Sequence, residues 1–211
     1  MSITALASAA PAVEYALAMD VGGGSHDGLP AHLEAFLGPI RGGWIEDATG
    51  DRLPFHVVWF DDAPERDLAT YSTLGLSRHA LESPTKTIRQ ELLVSVDKRF
   101  ASPRLGSVLS TLGEMVLAEH RPILRGEVLP PRGAIVPGST LSAFYASAPV
   151  ALPDAFAVFE GSEPHTVFVW LVPISAAEAG LIGSHGWSWF EDQLVEQQPD
   201  LFDLARQDIA H

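Results

Sequence analysis

The stretch "LATYSTLGLSRHALES" (68–83) decides how the chain is read. Leu68, Thr70 and Ser72 alternate with Ala69, Tyr71 and Thr73, a two-residue period that predicts a strand. Gly75 breaks the period, and Ser77, Arg78 and His79 follow as a polar cluster. A cluster of this kind after a strand is either a catalytic turn or the corner of a scaffold. The two outcomes describe different proteins.

The next stretch, "IRQELLVSVD" (88–97), is a second strand. Ile88, Leu92, Val94 and Val96 share one side, and Arg89, Glu91, Leu93 and Ser95 share the other. Glu91 is anomalous there, because a carboxylate among apolar neighbours needs a partner. An edge position or a cross-strand pair with Arg78 or another base would supply one, and a structural role is expected.

Working outward, "GGWIEDATGDRLPFHVVWF" (42–60) reads as two strands around a turn at Thr49-Gly50-Asp51. Phe55, Val57 and Trp59 oppose His56, Val58 and Phe60, so both sides are apolar and the strand belongs inside a sheet. "DDAPERD" (61–67) is an acidic turn. "PAHLEAFLG" (30–38) predicts a helix with Pro30 in its first turn and Gly38 at its end. "SPRLGSVLSTLGEMVLAEH" (102–120) carries apolar residues at three- and four-residue steps, a long amphipathic helix with Ser102 as N-cap.

The Pro- and Gly-rich stretch 121–140 reads as short extended pieces. Strands are expected over 141–147, 155–159 and 165–172. Ser175 and Glu178 have capping-box spacing ahead of a helix, and Ser188 and Glu191 repeat it. Trp187, Phe190 and Leu194 can share a helical face, and a short helix is expected in 197–211. The order predicts the α+β (mixed α/β) class, a single mixed β-sheet with helices packed against it. The domain is expected over 30–197. A partly flexible N-terminal extension (1–29), with a glycine-rich loop at 22–30, and a C-terminal tail (198–211) flank it.

The 27 acidic residues outnumber the 13 basic ones, giving a net charge of −14. Such a surface repels nucleic acid and anionic lipid and favours a basic protein partner. The absence of cysteine excludes disulfides, thiolate metal sites and cysteine nucleophiles. No run approaches the ~18 apolar residues of a membrane span. The apolar start "MSITALASAAPAVEYALAMD" has no charged region before it, the first basic residue being Arg41, so no secretory signal and a cytoplasmic location are expected.

Residue patterns for chemistry are sparse. The histidines (His26, His32, His56, His79, His120, His165, His185 and His211) are scattered, with no zinc spacing, and no metal or cofactor is expected. Around Ser77 the nucleophile-elbow pattern G-x-S-x-G fails, because His79 replaces the second glycine. No catalytic residue is expected. The alternative is a hydrolase-type enzyme using Ser77, His79 or Glu91, or a regulatory domain of unknown role. Asp47 and Asp51 do not match a Ca²⁺ loop. Asp61, Asp62, Glu65 and Asp67 are the candidate contacts for a cationic protein partner. Trp187 and Trp189 read either as a staple for the last helices or as a hot spot.

Taken in order, these pieces resemble the suppressor of fused domain family. The resemblance rests on the helix "HLEAFLG" (32–38), the His-led strand "FHVVWF" (55–60) and the turn with Pro64. It continues through "STLGLS" (72–77), "RQELLVSVD" (89–97), "GSVLSTLGEMVLAEH" (106–120) and "VWLVPISAAEAGLIGSHGWSWFEDQL" (169–194). His56, Gly75, Ser77 and Glu91 stand at motif positions, which the resemblance marks as structural. Two positions depart: Val58 and Arg78 stand where the family often has Asp. The resemblance implies a non-enzymatic binding fold. Stand-alone bacterial members resemble immunity proteins that neutralise toxins, so the implied partner is a protein, in one version a basic toxin domain.

Overall fold

A computed structural model describes residues 28–47, 49–130 and 133–209. The expected N-terminal loop and the reading of the first twenty residues lie outside them. The described elements run from a helix through two groups of strands, parted by a long helix, to two closing helices. Helix α1 (Leu29–Leu37) precedes a hairpin of β1 (Gly42–Glu46) and β2 (Arg52–Asp61). Strand β3 (Leu68–Leu74) leads through a 3₁₀ turn (Leu76–Arg78) and the short β4 (Leu81–Glu82) to β5 (Thr87–Asp97). After the long helix α2 (Pro103–Glu119) come β6 (Val128–Leu129), β7 (Leu141–Ser147), β8 (Val158–Phe159) and β9 (Thr166–Ser175). Helices α3 (Ala176–His185) and α4 (Trp187–Gln197) follow.

The strands form one mixed sheet in the order β1-β2-β3-β5-β9-β7-β6, with β4 beside β5 and β8 beside β9. All neighbours are antiparallel except β5 and β9, where Arg89 lies opposite Thr166 and Leu93 opposite Trp170. Strand alternation sorts the core into two layers. Leu53, Phe55, Val57, Tyr71, Leu92, Val94, Val169 and Leu171 face α2, which buries Leu105, Leu109, Leu112 and Val116 against them. Val58, Phe60, Leu93, Tyr145, Phe168, Trp170 and Val172 face α1 and the last two helices. The sheet is thus covered on both sides, which explains why β2 is apolar on both faces.

Glycine sets how closely α2 lies on the sheet. A Cβ at Gly106 would stand 2.8 Å from the Trp44 ring, and one at Gly113 would run into the Phe55 ring. The helix can approach β1 and β2 only because those positions lack side chains.

Local signals differ in how far they hold. Ser175 and Glu178 form the expected capping box: Ser175 Oγ accepts from the Glu178 amide, and the Glu178 carboxylate from the Ser175 amide. The repeated spacing at Ser188 does not, because α4 starts two residues earlier, at Trp187, with Gly186 as N-cap. Ser102 occupies the N-cap of α2, but its hydroxyl makes no capping bond and is buried without a partner. The expected strand over 155–159 is instead a 3₁₀ turn (Asp154–Phe156) followed by the two residues of β8.

Among the described residues the tail forms no helix beyond α4. Residues 199–209 run as successive turns across the ends of β5 and β9. The Phe202 carbonyl accepts the Asp97 amide, and the Leu204 carbonyl accepts the Ser139 hydroxyl. Leu204 and Ile209 enter the two core layers. Between them Arg206 makes a bidentate pair with Glu178, at 2.6 and 2.8 Å, with both groups buried. Burial opposes ionisation of Glu178, but Arg206 and the Ser175 and Ile209 amides outweigh it and hold the carboxyl below its ordinary value of 4.5.

Replacing Arg206 by Ala strands a buried carboxylate and should lower unfolding stability by about 3–5 kcal/mol in urea titration. A carboxyl with a depressed folded pKa stabilises above its unfolded value and loses that stabilisation as pH falls through the folded one. Wild type should therefore weaken below about pH 4.5, and Arg206→Ala should flatten that part of the profile. Gly113→Ala should cost about 1–3 kcal/mol by overpacking against Phe55, again read from the urea midpoint.

Candidate functional site

Two turns at opposite ends of the β2–β3 hairpin hold the residues singled out in the sequence. One contains Gly75, Ser77, Arg78 and His79, with Glu91 behind it. The other is the acidic turn 61–67.

The first turn forms where two strands part. β3 and β5 pair in register from Leu68–Asp97 to Ser72–Leu93, and the ladder stops there. The Leu92 amide donates instead to Thr73 Oγ1, at 2.8 Å. Thr73 Oγ1 in turn donates to Glu91 Oε2, at 2.6 Å. Glu91 Oε1 accepts the Gly75 amide at 2.8 Å, the Ser77 amide at 3.1 Å and the Ser77 hydroxyl at 2.7 Å. The carboxylate thus caps the 3₁₀ turn and stands in for the lost ladder bonds.

Gly75 takes a φ of +96°, a left-handed conformation that favours glycine. Arg89, two residues before Glu91 on the same strand face, binds the other end of the turn. Its Nη1 donates to the Ser77 carbonyl at 2.7 Å and the Arg78 carbonyl at 3.0 Å. An acid at the amide end and a base at the carbonyl end match the polarity of the turn.

Glu91 is completely buried. Burial pushes its carboxyl above the usual range, and the Thr73, Ser77 and Gly75 donors pull it part of the way back. The cross-strand pair with Arg78 does not form: Glu91 is held by amides and hydroxyls, while Arg78 is exposed and lies over Gly75. Ser77 is equally buried, and its hydroxyl is committed to Glu91. His79 lies exposed, with Nε2 3.5 Å from the Pro54 carbonyl rather than beside Ser77. A hydroxyl closed off in this way cannot reach a substrate, so the geometry offers no nucleophile–base pair at this turn.

The acidic turn is held as firmly. Ala63 exchanges with the chain through its amide to the Leu68 carbonyl, and its own carbonyl accepts the Thr70 hydroxyl at 2.7 Å. Asp62 Oδ1 accepts the Asp67 amide, and the Asp67 carbonyl accepts the Lys98 amide. Asp62 and Asp67 both sit at positive φ, 56° and 66°. Lys98, absent from the sequence-level candidates, places its ammonium 2.9 Å from Asp61 and 2.7 Å from Asp62. That contact, with the Asp67 amide, lowers the Asp62 pKa. Of the four acids, Glu65 and Asp67 are the exposed ones outside this pair.

The two tryptophans split. Trp189 is half-buried, packs on the sheet layer and lies against His185 with ring centres 4.6 Å apart and the rings tilted by 33°. Trp187 is 44% exposed, with the Arg125 guanidinium 5.3 Å from its ring. Among the described residues no group of three or more His, Cys, Asp or Glu could hold a metal ion, and no helix is long and apolar enough to cross a membrane.

The model of the suppressor of fused protein family matches residues 51–207, and the chain belongs to that family. A curated relative, the immunity protein YqcF of Bacillus subtilis (strain 168), is 24% identical over 157 residues, 73% of this chain and 81% of that protein. The crystal structure of a suppressor of fused homolog from Neisseria gonorrhoeae FA 1090 superposes with a TM-score of 0.73 at 19% identity, covering 89% of this chain and 97% of that one. A chain of the Sufu–Fu complex gives 0.66 at 12% identity, covering 87% and 91%. Drosophila Suppressor of Fused gives 0.63 at 14%, covering 85% of this chain and 49% of that one. At these identities the structures establish a common fold.

The clamp makes its own prediction. Glu91→Gln sets an amide NH₂ against donors and should cost about 1.5–3 kcal/mol of stability, measured by urea unfolding. An unchanged midpoint would mean that Glu91 is held as a neutral acid.

Proposed function

We propose that this chain is a cytoplasmic, non-enzymatic immunity protein that binds a basic toxin domain and occludes its working surface. The similarity to the YqcF immunity protein carries the reading. Three features of the chain support it. Its excess of acids suits capture of a basic partner, because complementary charge speeds encounter. The acidic turn is fixed before binding, so little ordering entropy is lost on docking. The Ser77 hydroxyl is buried and committed.

Within the turn, Glu65 and Asp67 are the proposed leading contacts. Asp61 and Asp62 act partly through Lys98, which holds them in place and offsets their charge.

Co-expression with the toxin-like product of an adjacent gene provides the test. Wild type should restore growth and bind the toxin domain in calorimetry. The Glu65→Lys/Asp67→Lys variant should weaken binding by about tenfold or more through slower association. Equal binding by that variant would remove the acidic turn from the interface. Failure of any neighbouring product to bind, together with turnover of a substrate by the purified chain, would overturn the reading.

A further inference from the structure

Helix α4 turns two faces to different surroundings. Phe190 is buried, and Trp189 and Leu194 pack on the sheet layer. Trp187, Glu191 and Val195, four residues apart, form a separate stripe. On it Trp187 is 44% and Val195 76% exposed. Leu124, 40% exposed, opens the turn beside the stripe, where its carbonyl accepts the Glu127 amide. Turn and helix meet at Gly126. Its φ of +91° and missing side chain let the Trp187 ring lie on the backbone, since a Cβ there would stand 2.8 Å from the ring.

The exposed indole is held in place. The Arg125 guanidinium lies 5.3 Å from its ring and makes a bidentate pair with Glu191, at 3.1 and 2.6 Å. Glu191 also accepts the hydroxyl of the buried Tyr145, at 2.8 Å. Trp187 therefore loses little freedom when a partner covers it. A fixed indole left in water, with an arginine beside it, has the makeup of an interface hot spot.

Charge selects what can cover it. Helix α4 carries Glu191, Asp192 and Glu196 and no base. Arg125 is paired with Glu191, and Arg121, the next base along the chain, with Glu127. A second copy of the chain would set these acids, and a net charge of −14, against their like. A basic surface with an apolar centre is complementary.

We propose that Leu124, Trp187 and Val195 anchor the basic protein partner, with Asp192 and Glu196 at the rim of the interface. The inference rests on the immunity reading and deepens it: the acidic turn at 61–67 steers the partner in, and the α4 face holds it. The two surfaces act on different rate constants, because charge sets the rate of encounter and a desolvated anchor sets the residence time.

The test measures association and dissociation rates against the toxin-like product of an adjacent gene by surface plasmon resonance. Trp187→Ala should raise the dissociation rate by about thirtyfold or more and leave association within about threefold. Val195→Arg, at a position too exposed to disturb the fold, should speed dissociation by about tenfold. Its urea midpoint should match wild type, which separates a lost contact from a lost fold. Glu65→Lys/Asp67→Lys should slow association and leave dissociation unchanged. Wild-type dissociation rates in both α4 variants would overturn the site and leave the immunity reading standing. Failure of wild type to bind any neighbouring product would overturn that reading, and the site with it. A dimer in sedimentation that Trp187→Ala abolishes would assign the face to a second copy and overturn the proposal.

Discussion

The turn that follows β3 depends on one buried carboxylate. Where β3 leaves β5, the sheet forfeits ladder bonds in a place that water does not reach. Glu91 takes the Gly75 and Ser77 amides and the Thr73 and Ser77 hydroxyls, so the chain can turn inside the protein without stranding its donors. Arg89 does the same for the carbonyls at the far side of the turn. An R-x-E pair on one strand thus shapes a loop more than ten residues away. The left-handed Gly75 completes the bend.

The same principle recurs across the sheet. Glu178 caps α3 and then binds Arg206, so one carboxylate fixes both a helix start and the tail that closes the ends of β5 and β9. At the acidic turn Lys98 bridges Asp61 and Asp62 while its amide meets Asp67. Charges that would be mobile on a loop are pinned to strand ends. The shape of that turn is set by the fold itself.

Much of the fold was legible because period reports burial. The two-residue alternation of β3 and β5, the mixed apolar faces of β2 and the helical spacing of α2 each place residues on the layers they occupy. The Ser175–Glu178 cap was legible because both partners are local. What failed depended on distance or on competition. Glu91 drew an expected arginine partner, but its donors come from a turn whose approach no spacing encodes. Ser188 has the right spacing for a cap, yet Gly186 starts the helix first. The tail looks helical in isolation, but Leu204 and Ile209 gain more by reaching two different core layers. β4 and β6 are two residues each, too short to show a period. At the acidic turn all four carboxylates were visible and Lys98 was not, because it lies beyond the end of a different strand.

Native-state hydrogen exchange at the Gly75, Ser77 and Leu92 amides tests the buried clamp most directly. If Glu91 and Thr73 hold these amides as described, they should exchange only through global unfolding, with the same free energy as the central amides of β5 and β9. Exchange within minutes at neutral pH, while β5 stays protected, would contradict it. The corner would then be a loose loop rather than a clamped turn.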